Sequence, residues 1–434
     1  MADSTAYIDD LASFVTASPS SYHAAAEVAR RLHAAGFEQL DESAGWAGAP
    51  GRYLVVRDGA VLAWVVPEGA DASTPFRILG AHTDSPGFKL KPKPTVAAQG
   101  WLQAGVEVYG GPLLNSWLDR ELELAGRVVT VAGEELLVRS GPFLRIPQLA
   151  IHLDREVNSG LTLDRQRHTA PVFGVGGPGD ADLVGILAGL AGLAGGDEIA
   201  GYDIVTADTA PPARFGLDQA LFASGRLDNL SSVHAGVTAL VESTGRPDAR
   251  RSDAGARHIS MLAAFDHEEL GSESRSGASG PLLDDVTARI TAALGGTAAT
   301  RARAFASSWC LSSDAGHSVH PNYPEKHDPV NHPVAGSGPL LKINANQRYA
   351  TDAHGAALWR RLAEAAGVRT QEFVSNNTVP CGSTIGPLTA TRLGLRTVDV
   401  GVPLLSMHSA RELAHVDDLV ALGAVAREFF AGTA

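Results

Sequence analysis

The chain has 434 residues, with 48 acidic against 35 basic side chains and a formal net charge of -13. That length holds two or three domains and a substantial core, while the acidic balance excludes the basic stripe that nucleic-acid binding requires. Cys310 and Cys381 form no CxxC or CxxH pair, which excludes a disulfide scaffold and a thiolate zinc site and points to a reducing compartment.

The acidic start "MADSTAYIDD" has neither the basic opening nor the apolar core of a secretory signal. In "SPSSYHAAAEVARRLHAAGF", Ser and Pro open a helix, Ala and Leu recur at helical spacing and Gly36 closes it. Strands are expected at "RYLVV", "AVLAWVV" and "FRILGAHTD". The Pro- and Lys-rich "FKLKPKPTV" marks a boundary, because Pro cannot continue a central strand. Residues 95–213 read as a β-rich insertion of mixed-polarity strands, with "ELELAGRVVTVAGEELLVRS" forming two runs joined by "AGE". The apolar window "LVGILAGLAGLAGG" is too short and too Gly-rich to span about 30 Å of hydrocarbon, so the expectation is a cytoplasmic protein without a membrane partner.

Beyond residue 213, helices and strands alternate. "SSVHAGVTALVES", "GPLLDDVTARITAAL", "ALWRRLAEAAG" and "HVDDLVALGAVAREFF" read as helices; "HISMLAAFD", "SSWCLSSD" and "LRTVDVGVP" read as strands. This predicts an α/β fold, a mostly parallel mixed sheet flanked by helices, with 1–94 and 214–434 as its two parts.

Ligands of such sheets bind beyond the carboxyl ends of the strands. Polar clusters recur there: His82 and Asp84, Glu268 and Glu269, Asp314 and His317, His408, and Asp228 just before a helix. Taken singly, each is more often a solvated loop residue. Together, imidazoles and carboxylates without thiolates are the donor set of a zinc or manganese hydrolase. Residues i and i+2 of an extended chain share a side, so Asp84 can accept the second ring N–H of His82 and free the other nitrogen for metal. Glu268 and Glu269 are neighbours that project oppositely, so one can hold metal while the other faces substrate.

"GAHTDSPGFKLKP", "SGRLDNL", "FDHEELGS", "SSDAGHSVHPNYPEKHDP", "LKINANQRYATD" and "SMHSARE" together resemble the aspartyl aminopeptidase family of dizinc exopeptidases, in the family's order and across most of the chain. The resemblance implies a catalytic α/β domain interrupted by a β-rich dimerisation domain. It implies two divalent ions, zinc by default with manganese or cobalt as alternatives, sharing a water. His82 and Asp314 are then ligands of one metal, Glu269 and His408 of the other, Asp228 the bridge, Glu268 the general base and Asp84 their support. His152 matches a histidine reaching a neighbouring subunit's site, and Lys342 and Tyr349 match residues that hold an acidic side chain. A cis peptide is expected at Asp228–Asn229. The implied activity removes N-terminal Asp or Glu from small peptides, in a homo-oligomer that the resemblance makes a tetrahedral dodecamer. The alternatives are a dizinc carboxypeptidase or deacylase of related fold, with Arg348 as a candidate for a terminal carboxylate, and an aminopeptidase preferring neutral residues.

Other motifs read as structural. "GVGGPG", Gly174 to Gly179, fits G-x-G-x-x-G but follows no clear strand. His317, His320 and His327 lie near "PNYP", in an irregular loop suited to hydrogen bonding. Lys89, Lys91 and Lys93 read as a solvated face, and "GSESRSGASG" has no G-x-S-x-G elbow.

Overall fold

The computed structural model describes residues 4–245 and 258–433. Among them, nine strands form one sheet in the order Glu38–Gln39, Gly51–Arg57, Ala60–Val66, Ile259–Phe265, Phe76–His82, Trp309–Ser313, Arg396–Gly401, Leu340–Ile343 and Gln371–Val374. Four central neighbours, Ile259–Phe265, Phe76–His82, Trp309–Ser313 and Arg396–Gly401, run parallel, so their carboxyl ends meet at one edge. Every residue of Ile259–Phe265 is buried. Its alternate side chains enter two cores, Leu262 and Ala264 on one face, Met261, Ala263 and Phe265 on the other. A strand covered on both faces has no polar side to show, which is why it reads as an unbroken apolar run.

Helices Ser21–Ala34, Leu227–Gly245, Ala353–Ala366 and Val416–Ala431 cover the first face; Leu282–Ala293, Ala298–Ala306 and Ile385–Leu393 cover the second. The helix at Ser21–Ala34 is capped by the Ser20 hydroxyl and ends near Gly36, whose φ is +80°. One helix on the first face, Ser4–Ala17, was not expected from the polar start. It buries Tyr7, Ile8, Leu11, Phe14 and Val15, a helical stripe hidden between acidic and hydroxyl residues.

A separate antiparallel sheet has the order Glu135–Arg139, Leu122–Thr130, Ile199–Asp208, Gly87–Ala98, Trp101–Tyr109 and Val172–Val175, with its own core. Its strand Gly87–Ala98 crosses the boundary expected at 94–95 and runs through Pro92 and Pro94. The expectation that proline stops a central strand fails here for a local reason. Pairing with Trp101–Tyr109 holds at Leu90↔Val106, lapses, and resumes at Thr95↔Ala104, so the prolines sit in a bulge where no ladder N–H is needed. Lys89 is correspondingly not a free solvated lysine: its ammonium pairs with Asp203 at 2.7 Å.

A small third sheet joins Leu221–Ser224 to Glu412–His415, with Ser224 opposite Glu412. It brings the start of helix Leu227–Gly245 beside the loop that carries His408. Among the described residues no helix is long and apolar enough to cross a membrane.

Candidate metal centre

The residues singled out at the strand ends converge. His82, the last residue of its strand, lies opposite Phe265, and both chains turn toward the same rim. Its Nε2 is 3.4 Å from Asp228 Oδ1, 3.5 Å from Asp314 Oδ1 and 3.9 Å from Glu268 Oε2. His408 Nε2 is 3.4 Å from Asp228 Oδ2 and 3.4 Å from Glu269 Oε1. Asp228 therefore turns one carboxylate oxygen toward each imidazole. Two groups sharing it, His82 with Asp314 and His408 with Glu269, bring their donor atoms within 4.8 Å of one another.

The spacing suits metal better than hydrogen bonding. Zinc bonds of about 2.0–2.2 Å place neighbouring ligands of a tetrahedron roughly 3.3–3.6 Å apart. Asp228 Oδ1 and Glu269 Oε1 are buried and accept no hydrogen bond. Orphaned buried oxygens are rare unless a cation or other partner belongs with them. The donors are oxygen and imidazole nitrogen, so the residues fit two divalent ions.

The electrostatics agree. Burial opposes the charged form of His82, but the carboxylates of Asp228, Asp314 and Asp84 outweigh it and hold the imidazole pKa well above its ordinary value. At His408, burial is likewise outweighed by Asp228 and Glu269, and the pKa is pushed up to about 10. Burial raises Glu268 to about 8, with Asp314 and Asp228 adding to it against His82. Burial and Asp228 lift Glu269 well above the usual carboxylate range. Asp228 moves the other way, because its two imidazoles outweigh its burial. Proton-rich histidines among crowded carboxylates are what cation ligands look like when their partners are each other.

Local backbone explains the aim of these side chains. Glu268 and Glu269 are not in extended chain, as expected from the strand, but in a 3-10 turn, Glu268–Leu270, between left-handed His267 and Gly271. The Asp84 carboxylate accepts both turn N–H groups, from Glu268 at 3.0 Å and Glu269 at 3.1 Å. His82 Nδ1 donates instead to the Asp84 main-chain oxygen at 3.0 Å, with the carboxylate farther away at 3.4 Å. Asp84 thus fixes the tautomer through its backbone and the glutamates through its side chain. The Asp228–Asn229 peptide is cis, as expected. Ser85 donates to the Asp228 carbonyl at 2.8 Å, and the Asn229 amide donates to Ser313 O at 2.9 Å.

Sequence reasoning missed the part of the site supplied by the antiparallel sheet. Tyr109, ending strand Trp101–Tyr109, donates its hydroxyl to Asp84 Oδ2 at 2.9 Å. Gly110, at φ +67°, packs where a Cβ would lie 3.1 Å from Glu269 Cβ. The Gly111 oxygen accepts from His408 Nδ1 at 2.9 Å. The available signal was "YGG", a glycine pair after a strand, which marks a close backbone approach.

Residues 14–430 match the family described as aminopeptidase I zinc metalloprotease, M18. The chain belongs to the M18 family of zinc aminopeptidases. A probable M18 family aminopeptidase 2 of Streptomyces avermitilis is 55% identical over 415 residues, covering 95% of this chain and 94% of its own. Among solved structures, Ape4 in its complex with Nbr1 superposes with a TM-score of 0.94 at 33% identity, covering 99% of this chain and 86% of that one. The S. cerevisiae mApe1 dodecamer gives a TM-score of 0.82 at 28% identity, covering 98% and 95%.

In this M18 aminopeptidase the remaining candidates divide. Lys342 is buried beside the first metal group, its ammonium donating to Ala315 O at 2.6 Å and lying 3.8 Å from Asp314 and 5.3 Å from the Tyr349 ring centroid. Tyr349 is buried against Phe373. His152 does not join them: it is exposed in residues 147–171, next to exposed Ile151 and Leu153. The glycine run begins inside Val172–Val175, where Gly174 pairs with Leu102; the sequence did not reveal this strand, and it is an antiparallel edge strand rather than the first strand of a dinucleotide fold. The Gly177 N–H is already taken by Asp180 at 2.7 Å. His320 and His327 serve loop hydrogen bonds, the His320 N–H donating to His327 Nε2 at 3.2 Å.

Proposed function

We propose that the chain removes acidic N-terminal residues from short peptides, with His82, Asp228 and Asp314 holding one divalent ion and Asp228, Glu269 and His408 the other. The observation that carries this reading is the placement of the two Asp228 oxygens, each 3.4 Å from a different imidazole. Two divalent ions held by these residues would supply Lewis acidity for the peptide carbonyl and for an attacking water. Glu268 sits 3.9 Å from His82 and is aimed at the same rim without being needed as the bridge. Its carboxylate takes the proton of the attacking water and returns it to the leaving amine.

Lys342 supports the acidic preference. One of its three N–H groups is used by Ala315, which fixes the ammonium and leaves donors for a substrate carboxylate. A neutral side chain offers those remaining donors no carboxylate, which disfavours it. Lys342→Ala is expected to lower the ratio of kcat/KM for Asp over Leu substrates by about 10- to 100-fold, the worth of a charged hydrogen bond. An unchanged ratio in profiling across N-terminal residues sinks Lys342 as the selector.

The mApe1 relative is a dodecamer, and exposed Leu149, Ile151, Leu153 and Leu161 around His152 suit burial in such an assembly. We take His152 to reach a neighbouring subunit's site and donate to the developing oxyanion. Co-assembly of His152→Ala chains with Glu268→Gln chains is then expected to recover roughly a quarter of wild-type activity by random mixing of symmetric partners. No recovery in mixed assemblies means that His152 does not act in trans.

A further inference from the structure

Glu412 opens the strand Glu412–His415, directly across from Ser224, and its side chain is buried. Among the described residues it forms no ion pair. Its two oxygens are used separately: Oε2 accepts the Asp228 main-chain N–H at 3.0 Å, and Oε1 accepts the His408 main-chain N–H at 2.8 Å. The donors lie 180 residues apart in sequence, 228 against 408, and meet on one carboxylate. Burying a carboxylate without a cation is costly, and an amide or hydroxyl satisfies a single N–H at no such cost. Two convergent N–H donors explain why a group with two acceptor oxygens stands here.

His408 needs such a hold. Its φ of +64° is a conformation that side-chain-bearing residues seldom keep unless their surroundings enforce it. Glu412 grips its backbone and Gly111 its ring, leaving Nε2 aimed at Asp228. Asp228 is gripped by the same carboxylate from the other side.

We propose that Glu412 is a positioning residue that sets the separation of Asp228 and His408, and thereby the affinity of the second metal group. This rests on reading those two residues as metal ligands. The test is calorimetric titration of chelator-stripped full-length protein with Zn2+, comparing wild type with Glu412→Gln, which keeps size but one acceptor oxygen, and Glu412→Asp, which keeps charge but not reach. Both variants are expected to take the first equivalent within about threefold of wild type and the second about 10- to 100-fold more weakly, the usual cost of losing a support behind a ligand. Added zinc then restores kcat, with KM little changed.

A purely structural role predicts a lower melting temperature with both equivalents bound as in wild type, and that result overturns the proposal. If only the Gln variant weakens binding, the negative charge and not the grip is responsible, which overturns it equally. Should the Gln chain fail to fold, the Asp chain decides alone. A wild-type chain that takes up no metal instead defeats the metal-centre reading on which the proposal stands.

Discussion

Glu268→Gln is expected to lower kcat by about 10^3-fold, within the range for loss of a general base, while two equivalents of metal remain bound. The substitution keeps the shape of a side chain that is partly buried and engaged 3.9 Å from His82. It leaves the Glu268 main-chain N–H on Asp84, so the turn should persist. What it removes is a carboxylate able to hold the proton of the attacking water. Glu268 is lifted to about 8 by burial and neighbouring carboxylates, and divalent cations bound in the adjoining groups would lower it, toward the range where a base works best. Steady-state kinetics with metal analysis on the same preparation checks both halves. A variant with more than a tenth of wild-type turnover rules Glu268 out as the base.

Asp228→Asn should be as damaging for a different reason. Both groups lose the negative charge of the carboxylate they share, so metal content falls at both sites and several kcal/mol of Lewis-acid stabilisation go with it, equivalent to about 10^3-fold or more in rate. The fold is expected to survive. The main-chain anchors of residue 228, its N–H on Glu412 and its carbonyl under Ser85, do not involve the carboxylate. A well-folded Asp228→Asn chain retaining both ions denies the bridging role.

The order of the elements and the rim of the site were legible for one shared reason. Strands such as Ile259–Phe265 are buried on both faces, read as apolar runs, and end abruptly in His, Asp or Glu where the sheet meets the site. What was not legible depends on register and on contacts between distant segments. Tyr109 and Gly111 enter the site because the strand Trp101–Tyr109 stops beside the turn at Glu268, and nothing in "EVYGGP" names that neighbour. Glu412 stood inside a motif already recognised, yet its role follows from two N–H groups that only the folded chain brings together. The strand through Pro92 and Pro94 was hidden because its bulge is a property of the pair, not of either strand. The Asp84 carboxylate serves the glutamates more than the histidine expected from the HxD spacing, a pairing that only the folded turn reveals.

The most direct measurement is metal content per chain. Elemental analysis of purified protein equilibrated with zinc and freed of unbound ion is predicted to give two equivalents per 434-residue chain, with aminopeptidase activity lost to chelator and regained on adding metal back. Fewer than one equivalent, or turnover indifferent to chelation, contradicts the account.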